Sequence, residues 1–405
     1  MQPALPIRDV LRRLPAVLTV MLAPLMLGAQ TPDDFGRWLA GLRDRAAAAG
    51  ISAATLEAAL PEIVWLPEVI ERDRNQYEFT RTIWDYLDRA VSEDRIMLGR
   101  RALAEQSALL KEIESRFGVD RHVLVAIWGL ESSYGAVRGD VPVLSALATL
   151  AHDGRRGAFF ERELIAALGL LDRGEARLSE LRGSWAGAMG HTQFMPTSLA
   201  RHGADLRGDG RRDVWGDDPA DALASAAAYL AANGWVSRQP WGVEVILPPH
   251  FDYTLARDTN RQSPAFWASI GIRGADGAPV PDHGTAVILL PGGHRGAAFM
   301  IFRNFNVIET YNTADAYVVA VGHLADRLRG GPPLRGTWPR EERALSLTER
   351  IELQERLTAA GFDTRGIDAR IGPLTVAAIR GYQRANGLVP DGFPSVSLLE
   401  ILRAR

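Results

Sequence analysis

The spacing of apolar residues in the first half of the chain is the feature that most restricts its fold. Over residues 33–233, apolar side chains recur at the period of a helix, for example in 94–117 and 220–232. Over 241–309, short apolar stretches such as 243–247 are separated by turns rich in Gly and Pro, which is typical of strands. The sequence therefore predicts a mainly α protein with a small strand-rich insert at about 241–309.

The end of the chain has the composition of a separate small domain. Residues 331–342 are rich in Gly and Pro, which predicts a linker. Three helix-start signals follow it: a capping box at Ser346 and Glu349, a first-turn proline at Pro373 and a cap at Ser395. Because 405 residues exceed what one core usually supports, we expect a three-helix domain at 343–405 beside the larger one.

The first 29 residues have the layout of a secretory signal. Arg8, Arg12 and Arg13 precede the apolar run 14–27, which ends in small residues. The run is shorter than the roughly 20 residues that a membrane-spanning helix needs. We therefore predict a signal peptide at 1–29, export and no stable membrane anchor, with an uncleaved anchor as the alternative.

Composition excludes several classes of function. The chain has no cysteine, which rules out thiolate nucleophiles, disulfides and cysteine-ligated metals. Its formal net charge of −3 lacks the basic excess that nucleic-acid binding normally needs. We expect a monomer that does not bind nucleic acid, although three short helices at 343–405 leave a helix-turn-helix as the alternative for the tail.

Glu131 is the candidate for general acid catalysis. It follows 123–130, a segment that is apolar on every side and therefore predicts a helix buried all round. Burial of a carboxyl raises its pKa, so that it can hold a proton near neutral pH and give it to a leaving oxygen. The simpler alternative is a structural glutamate paired with an arginine or with water.

Residues 183–198 have the composition of a sugar-binding surface. They combine three glycines with neutral polar groups and two aromatic rings, and they contain no acid. Ser184, Thr192 and Gln193 offer hydrogen bonds suited to an uncharged polar ring. The structural alternative is a tightly packed turn, and His191 is interpreted as part of that turn because no zinc-ligand spacing surrounds it.

These motifs together resemble the lytic murein transglycosylase B family. The elements occur in the family's order: Glu131-Ser-x-Tyr-Gly, 146–150, Arg155-Arg156, 187–190, 193–196 and 221–225. The tail resembles the three-helix peptidoglycan-binding module, although Ala369 stands where that module usually has glycine. The resemblance implies a lysozyme-like α+β core at 30–330, a periplasmic location and peptidoglycan glycan strands as the partner.

The resemblance also implies roles for individual residues. Glu131 is the single catalytic acid/base, and Ser184 and Gln193 contact the sugar next to the scissile bond. Five further positions match residues that line the family's groove: Tyr86, Tyr229, Tyr311, Asn312 and Tyr317. Phe159 stands where a relative has tyrosine.

A single carboxyl suffices if the substrate assists its own cleavage. Retaining and inverting glycosidases need a second carboxylate, which 183–198 does not supply. An N-acetylated sugar can use its acetamido oxygen instead, and its own 6-hydroxyl can then close a 1,6-anhydro ring. This is the family's cleavage of the MurNAc-β-1,4-GlcNAc bond. A hydrolytic muramidase and a non-catalytic peptidoglycan-binding scaffold are the alternatives.

The acidic loop 205–221 resembles a calcium loop. Its oxygen donors alternate around a glycine as in an EF-hand, and the family has a cation loop here, with Asp205, Asp209 and Asp221 as the implied ligands. Arg207, however, places a guanidinium where calcium needs an oxygen. Structural calcium and an internal salt bridge therefore both stay open.

Overall fold

A computed structural model of the protein describes residues 32–74, 81–256 and 259–404. The predicted signal peptide at 1–29 lies outside these residues. Within them, no helix is both long enough and apolar enough to cross a membrane.

Helices dominate the structure. In chain order they are α1 (Pro32–Ala48), α2 (Ala53–Ala59), α3 (Pro67–Arg74), α4 (Ile83–Ala90), α5 (Glu93–Glu105), α6 (Ser107–Phe117), α7 (Arg121–Ser132), α8 (Val143–Asp153), α9 (Gly157–Asp172), α10 (Pro196–His202), α11 (Ala220–Ala232), α12 (Pro264–Ser269), α13 (Arg303–Glu309), α14 (Asp315–Leu328), α15 (Leu347–Ala359), α16 (Pro373–Ala385) and α17 (Val396–Arg403).

The strands are short and form two antiparallel sheets. They are β1 (Val141–Pro142), β2 (Arg182–Gly183), β3 (Gly242–Ile246), β4 (Arg273–Gly274), β5 (Val287–Leu289) and β6 (Ala298–Ile301). β1 pairs with β2, and the larger sheet has the order β4-β3-β6-β5. The predicted fold class, mainly α with a small sheet and a three-helix C-terminal unit, is confirmed.

Helix α7 lies at the centre of the core. Residues 123–129 are all buried, and α5, α6, α11 and α14 pack around them. The helix ends abruptly because Ser133, Tyr134 and Gly135 all have positive φ, at 51°, 60° and 87°. The left-handed conformation costs a non-glycine residue about 1 kcal/mol, so the surrounding contacts must hold this reversal. One such contact is the hydrogen bond from the Tyr134 hydroxyl to the carbonyl of Arg95, at 2.7 Å.

The C-terminal helices follow the signals in the sequence. Ser346 and Glu349 form a capping box on α15, Pro373 occupies the first turn of α16, and Ser395 caps α17. The buried Gln354 ties the turn before α16 together: its Nε2 donates to the Asp368 carboxylate at 3.0 Å, and its Oε1 accepts from Ala369 N at 2.8 Å. Ala369 takes φ 60°, so the turn keeps the left-handed shape that glycine would adopt without strain.

The segment before α15 lies against the larger domain. Glu244 on β3 accepts a hydrogen bond from Arg335 N at 2.9 Å, and Trp338 packs beside Trp84 of α4 with 6.1 Å between ring centroids. Asp391 of the C-terminal unit accepts from both the backbone and the ring of His294. The predicted linker is thus bound along its length. The domain boundaries at 30, 330 and 343 stay predictions.

Packing around α14 yields a stability prediction. A Cβ at Gly322 would overlap the ring of Trp241, whereas one at Gly36 of α1 would meet nothing within 4 Å. We expect Gly322→Ala to lower the free energy of unfolding by about 1–3 kcal/mol, because the indole cannot move without repacking. Gly36→Ala is the matched control and should raise it by about 0.5–1 kcal/mol. Urea denaturation followed by circular dichroism measures both; equal effects would contradict the prediction.

Candidate active site

Glu131 sits in the last turn of α7 and is half-buried. The end of a helix carries partial negative charge from its unpaired carbonyls, which disfavours an ionised carboxylate there. The carboxyl also contacts the side chain of Tyr317 on α14, whose hydroxyl donates to Glu131 Oε1 at 2.5 Å. Two packed helices that are far apart in the sequence, α7 and α14, therefore hold this carboxyl in place.

Tyr317, predicted to line the groove, lies against Glu131. Its side chain is only 4% exposed, and its hydroxyl is committed to the carboxylate. Burial raises the pKa of Tyr317, and the nearby charge of Glu131 raises it further. The phenol is therefore protonated throughout the physiological range and acts as a donor to Glu131.

The other aromatic residues of the predicted site gather around this pair. Burial, and then the charge of Glu131, raise the pKa of Tyr311, while Tyr86 lies close enough to Tyr317 to contribute to the shift of its pKa. The rings of Tyr229 and Tyr311 meet edge to face, with centroids 5.3 Å apart. The structure thus brings Glu131 together with four of the predicted tyrosines.

Several of the predicted hydrogen-bonding groups are used within the protein. The Tyr311 hydroxyl donates to the carbonyl of Thr192 at 2.9 Å, and that of Tyr229 donates to the carbonyl of Thr310 at 2.7 Å. Asn312 Oδ1 accepts from Ala314 N at 3.0 Å. Tyr229 and Tyr311 can therefore contact a ligand mainly through their ring faces. Asn312 can do so through its one remaining polar atom.

The segment 183–198 folds back on itself. Ser184 Oγ accepts from the backbone of Ala188 at 3.0 Å, which leaves its proton available for a ligand. A Cβ at Gly190 would overlap the carbonyl of Val214, and one at Gly187 would overlap the side chain of Leu147. These two glycines therefore permit close packing of the protein against itself.

Gln193 is held in one orientation. It has φ 50°, and its Nε2 donates to the carbonyls of Arg138, at 3.0 Å, and Gly190, at 2.8 Å. Both partners can only accept, so the side-chain nitrogen and oxygen are assigned without ambiguity. Gln193 therefore offers its oxygen as an acceptor.

The acid that contacts this segment is structural. Glu163 of α9 is buried and accepts hydrogen bonds from the backbone and hydroxyl of Thr197 at 2.9 and 2.8 Å. It is thus committed to the start of α10.

The acidic loop does not form a cation site. Asp205 accepts hydrogen bonds from the amides of Gly208 and Gly210, at 2.6 and 2.8 Å, and Asp221 accepts from those of Leu206 and Asp213. In the part of the chain that the structure describes, no three His, Asp or Glu side chains are grouped to hold a metal ion. Asp205, Asp209 and Asp221 therefore do not fit calcium in this arrangement.

Arg207 supplies the alternative that the sequence left open. Its guanidinium donates to Asp218 Oδ2 at 2.7 Å, across the same loop. A fixed positive charge thus stands where a cation would contribute one.

A second feature of α7 lies at its other end. A cavity of about 800 Å³ is lined by residues that include Asp120, Val123, Trp241 and Arg329. None of the predicted site residues lines it. The chemistry predicted for Glu131 therefore belongs to the opposite end of the helix.

Sequence reasoning missed the residues that support the site. Arg138, Trp128 and Ser132 all bond to the turn that carries His191 and Gln193. Arg138 stands in a loop without any motif, so no local signal could have identified it.

Comparison with known proteins gives matches to both parts of the chain. The family model described as "Transglycosylase SLT domain" matches residues 34–326, and that described as "Putative peptidoglycan binding domain" matches 346–402. Membrane-bound lytic murein transglycosylase B of Escherichia coli is 36% identical over 152 residues, which are 37% of this chain and 42% of that protein. The match thus spans less than half of this curated relative.

Solved structures extend the likeness over most of the chain. SltB3 from Pseudomonas aeruginosa, in complex with NAG-anhNAM-pentapeptide, is 46% identical with a TM-score of 0.88, and the match covers 91% of this chain and 99% of that one. Lytic transglycosylase Slt35 of Escherichia coli, in complex with calcium, is 27% identical with a TM-score of 0.62, covering 73% of this chain and 92% of that one.

The predicted resemblance is confirmed over both the helical core and the C-terminal unit. Together with the family match over 34–326, it shows that the chain belongs to the transglycosylase SLT domain family and carries a peptidoglycan-binding domain after it.

Proposed function

We propose that this protein is a lytic transglycosylase that cleaves the MurNAc-β-1,4-GlcNAc bond of peptidoglycan and forms 1,6-anhydroMurNAc. The observation that carries the proposal is the setting of Glu131: a half-buried carboxyl at the end of a buried helix, bonded to the buried phenol of Tyr317. The solved relative in complex with NAG-anhNAM-pentapeptide supports the same chemistry.

The reaction needs one proton donor that becomes a base. Glu131 gives its proton to the glycosidic oxygen as the bond from the anomeric carbon breaks. The acetamido oxygen of the same MurNAc bonds to that carbon, so that the positive charge is carried by an oxazolinium ion opposite the ionised Glu131. The ionised Glu131 then takes the proton of the 6-hydroxyl, O6 displaces the acetamido oxygen, and Glu131 is again protonated. No water is consumed.

The surroundings of Glu131 suit both halves of this cycle. The negative end of α7 favours the neutral acid at the start. Tyr317 donates to Oε1, so the transferable proton is carried on Oε2, and the same hydrogen bond stabilises the carboxylate after transfer. The raised pKa of Tyr317 keeps this donor protonated.

The contact that each side chain makes with the sugar follows from the groups that it does not use within the protein. Ser184 donates its hydroxyl proton, and Gln193 accepts through its oxygen. The tyrosine rings supply flat apolar faces for the pyranose rings, because the hydroxyls of Tyr229 and Tyr311 are bonded within the protein. Tyr86 and Asn312 complete the groove.

The C-terminal domain binds glycan strands and keeps the enzyme on its polymeric substrate. The protein acts as a monomer in the periplasm, and the segment 1–29 directs its export. These statements rest on the sequence features given above and on the match to a peptidoglycan-binding domain.

The acidic loop holds its shape without calcium. Backbone amides satisfy Asp205 and Asp221, and the Arg207–Asp218 pair supplies the positive charge.

The role of Glu131 predicts the product of a variant. Glu131→Gln should lower release of anhydromuropeptides from purified sacculi by at least about 100-fold, because the amide cannot transfer the proton. Mass spectrometry identifies the products, and Glu105→Gln, an exposed position on α5, is the control. Undiminished release would refute the assignment. Reducing-end products one water heavier in the wild type would indicate the hydrolytic muramidase.

The hydrogen bond of Tyr317 predicts a smaller loss. Tyr317→Phe should lower the rate of anhydromuropeptide release by about 10- to 100-fold, because the carboxyl loses its fixed orientation. Sacculus binding in a pull-down assay should be unchanged, since the phenol is buried. A loss of binding with an unchanged rate would instead indicate that Tyr317 contacts the sugar.

The loop predicts that chelators have no effect on stability. The melting temperature should be the same in EDTA and in millimolar calcium, because a ligand stabilises only a state that binds it. Differential scanning calorimetry measures this directly. A rise of several degrees with calcium would show that the loop rearranges to bind the ion.

A further inference from the structure

We infer that His191 is a positioning residue that fixes Glu131 relative to the bound sugar. The inference rests on the proposed function, since it concerns the same acid. Its basis is a hydrogen-bond network that joins the last turn of α7, through His191, to the segment 214–217 and to Gln193. His191 bonds both to α7 and to the segment 214–217.

The first side of the network is α7 itself. Trp128 Nε1 donates to His191 Nδ1 at 3.1 Å, and Ser132 Oγ donates to the carbonyl of His191 at 2.6 Å. Trp128 and Ser132 lie one turn apart and flank Glu131 in the sequence, and both are at most 5% exposed. Two hydrogen bonds thus hold the helical turn that presents the carboxyl.

The second side is the segment 214–217. His191 Nε2 bonds to the carbonyl of Gly216 at 2.7 Å, and the backbone amide of His191 donates to the carbonyl of Val214 at 3.0 Å. The guanidinium of Arg138 donates to the carbonyls of Trp215 and Gly216, at 2.7 and 2.6 Å. His191 therefore links α7 to the segment 214–217, which lies far from α7 in the sequence.

The partners of His191 define its protonation. An indole N–H can only donate, so Nδ1 must accept, and a carbonyl can only accept, so Nε2 must carry the proton. This is a neutral imidazole with both nitrogens used. Burial lowers the pKa of His191, which agrees with the neutral form.

The imidazole ring packs closely against the chain reversal after α7. A Cβ at Gly135, where φ is 87°, would overlap the ring of His191, so glycine is required there on both steric and conformational grounds. The chain reversal that follows Glu131 is therefore packed directly on the imidazole.

The same network reaches the sugar-binding side. Gln193 lies two residues beyond His191, and its amide donates to the carbonyl of Arg138 at 3.0 Å. Arg138 in turn bonds to the carbonyl of Gly216, which also accepts from His191. Glu131 and Gln193 are thus held in one connected unit, and His191 lies between them.

The test is a kinetic comparison of two His191 variants on a soluble GlcNAc-MurNAc tetrasaccharide. His191→Phe keeps a flat ring but removes both side-chain hydrogen bonds, and we expect kcat to fall about 100-fold with KM within about 3-fold of wild type. His191→Gln retains a donor for Gly216, and it should recover about 10-fold of the lost kcat. His323→Gln, a buried histidine of α14 away from this network, is the control and should leave both constants unchanged.

The outcomes separate this inference from the proposed function. Wild-type kcat in His191→Phe, or a rise in KM at unchanged kcat, overturns the positioning role. A His191→Gln variant no better than the Phe variant also overturns it. Full activity of Glu131→Gln would instead refute the acid itself. If His191→Phe is not recovered folded, His191→Gln decides alone: kcat about 10-fold lower at unchanged KM supports the role, and wild-type kcat refutes it.

Discussion

The complete burial of α7 is the constraint on which the rest of the structure depends. Residues 123–129 are enclosed by α5, α6, α11 and α14, so the helix cannot shift without disturbing the whole core. Its last turn holds Glu131 in a fixed position. Tyr317 of α14 reaches that carboxyl because α14 packs against the same helix. Protein interiors are close-packed and tolerate little displacement. The rigid core around α7 therefore fixes the position of Glu131 at the end of the helix.

The features that the sequence predicted are local ones. The capping box at Ser346, the first-turn Pro373 and the apolar stretches that became β3, β5 and β6 all act within a few residues of their position. The two-residue strands β1, β2 and β4 carry too little pattern to be recognised, because pairing of the chain creates them. Glu131 could be proposed because a buried helix pointed to it.

The features that sequence reasoning could not supply are contacts across long separations. Glu131 and Tyr317 are 186 residues apart, so nothing in either neighbourhood indicates their hydrogen bond. Arg138 is one arginine among many until folding places it between Gln193 and Gly216. The family resemblance implies that Tyr317 lines the groove, and only the packing of α14 shows that its hydroxyl also donates to the acid. The acidic loop shows the same limit, since Asp218 becomes the partner of Arg207 only in the folded chain.

The reversal at 133–135 places a limit on how this protein can vary. Three successive left-handed residues follow the acid, and two of them carry side chains. Whatever replaces Ser133 or Tyr134 must tolerate that backbone shape before any question of chemistry arises, and a β-branched residue would resist it. Substitution beside the acid is therefore restricted by backbone dihedral angles as well as by the chemistry of the site. A substitution at either position would lower activity in an assay, although the cause would be a change in backbone conformation.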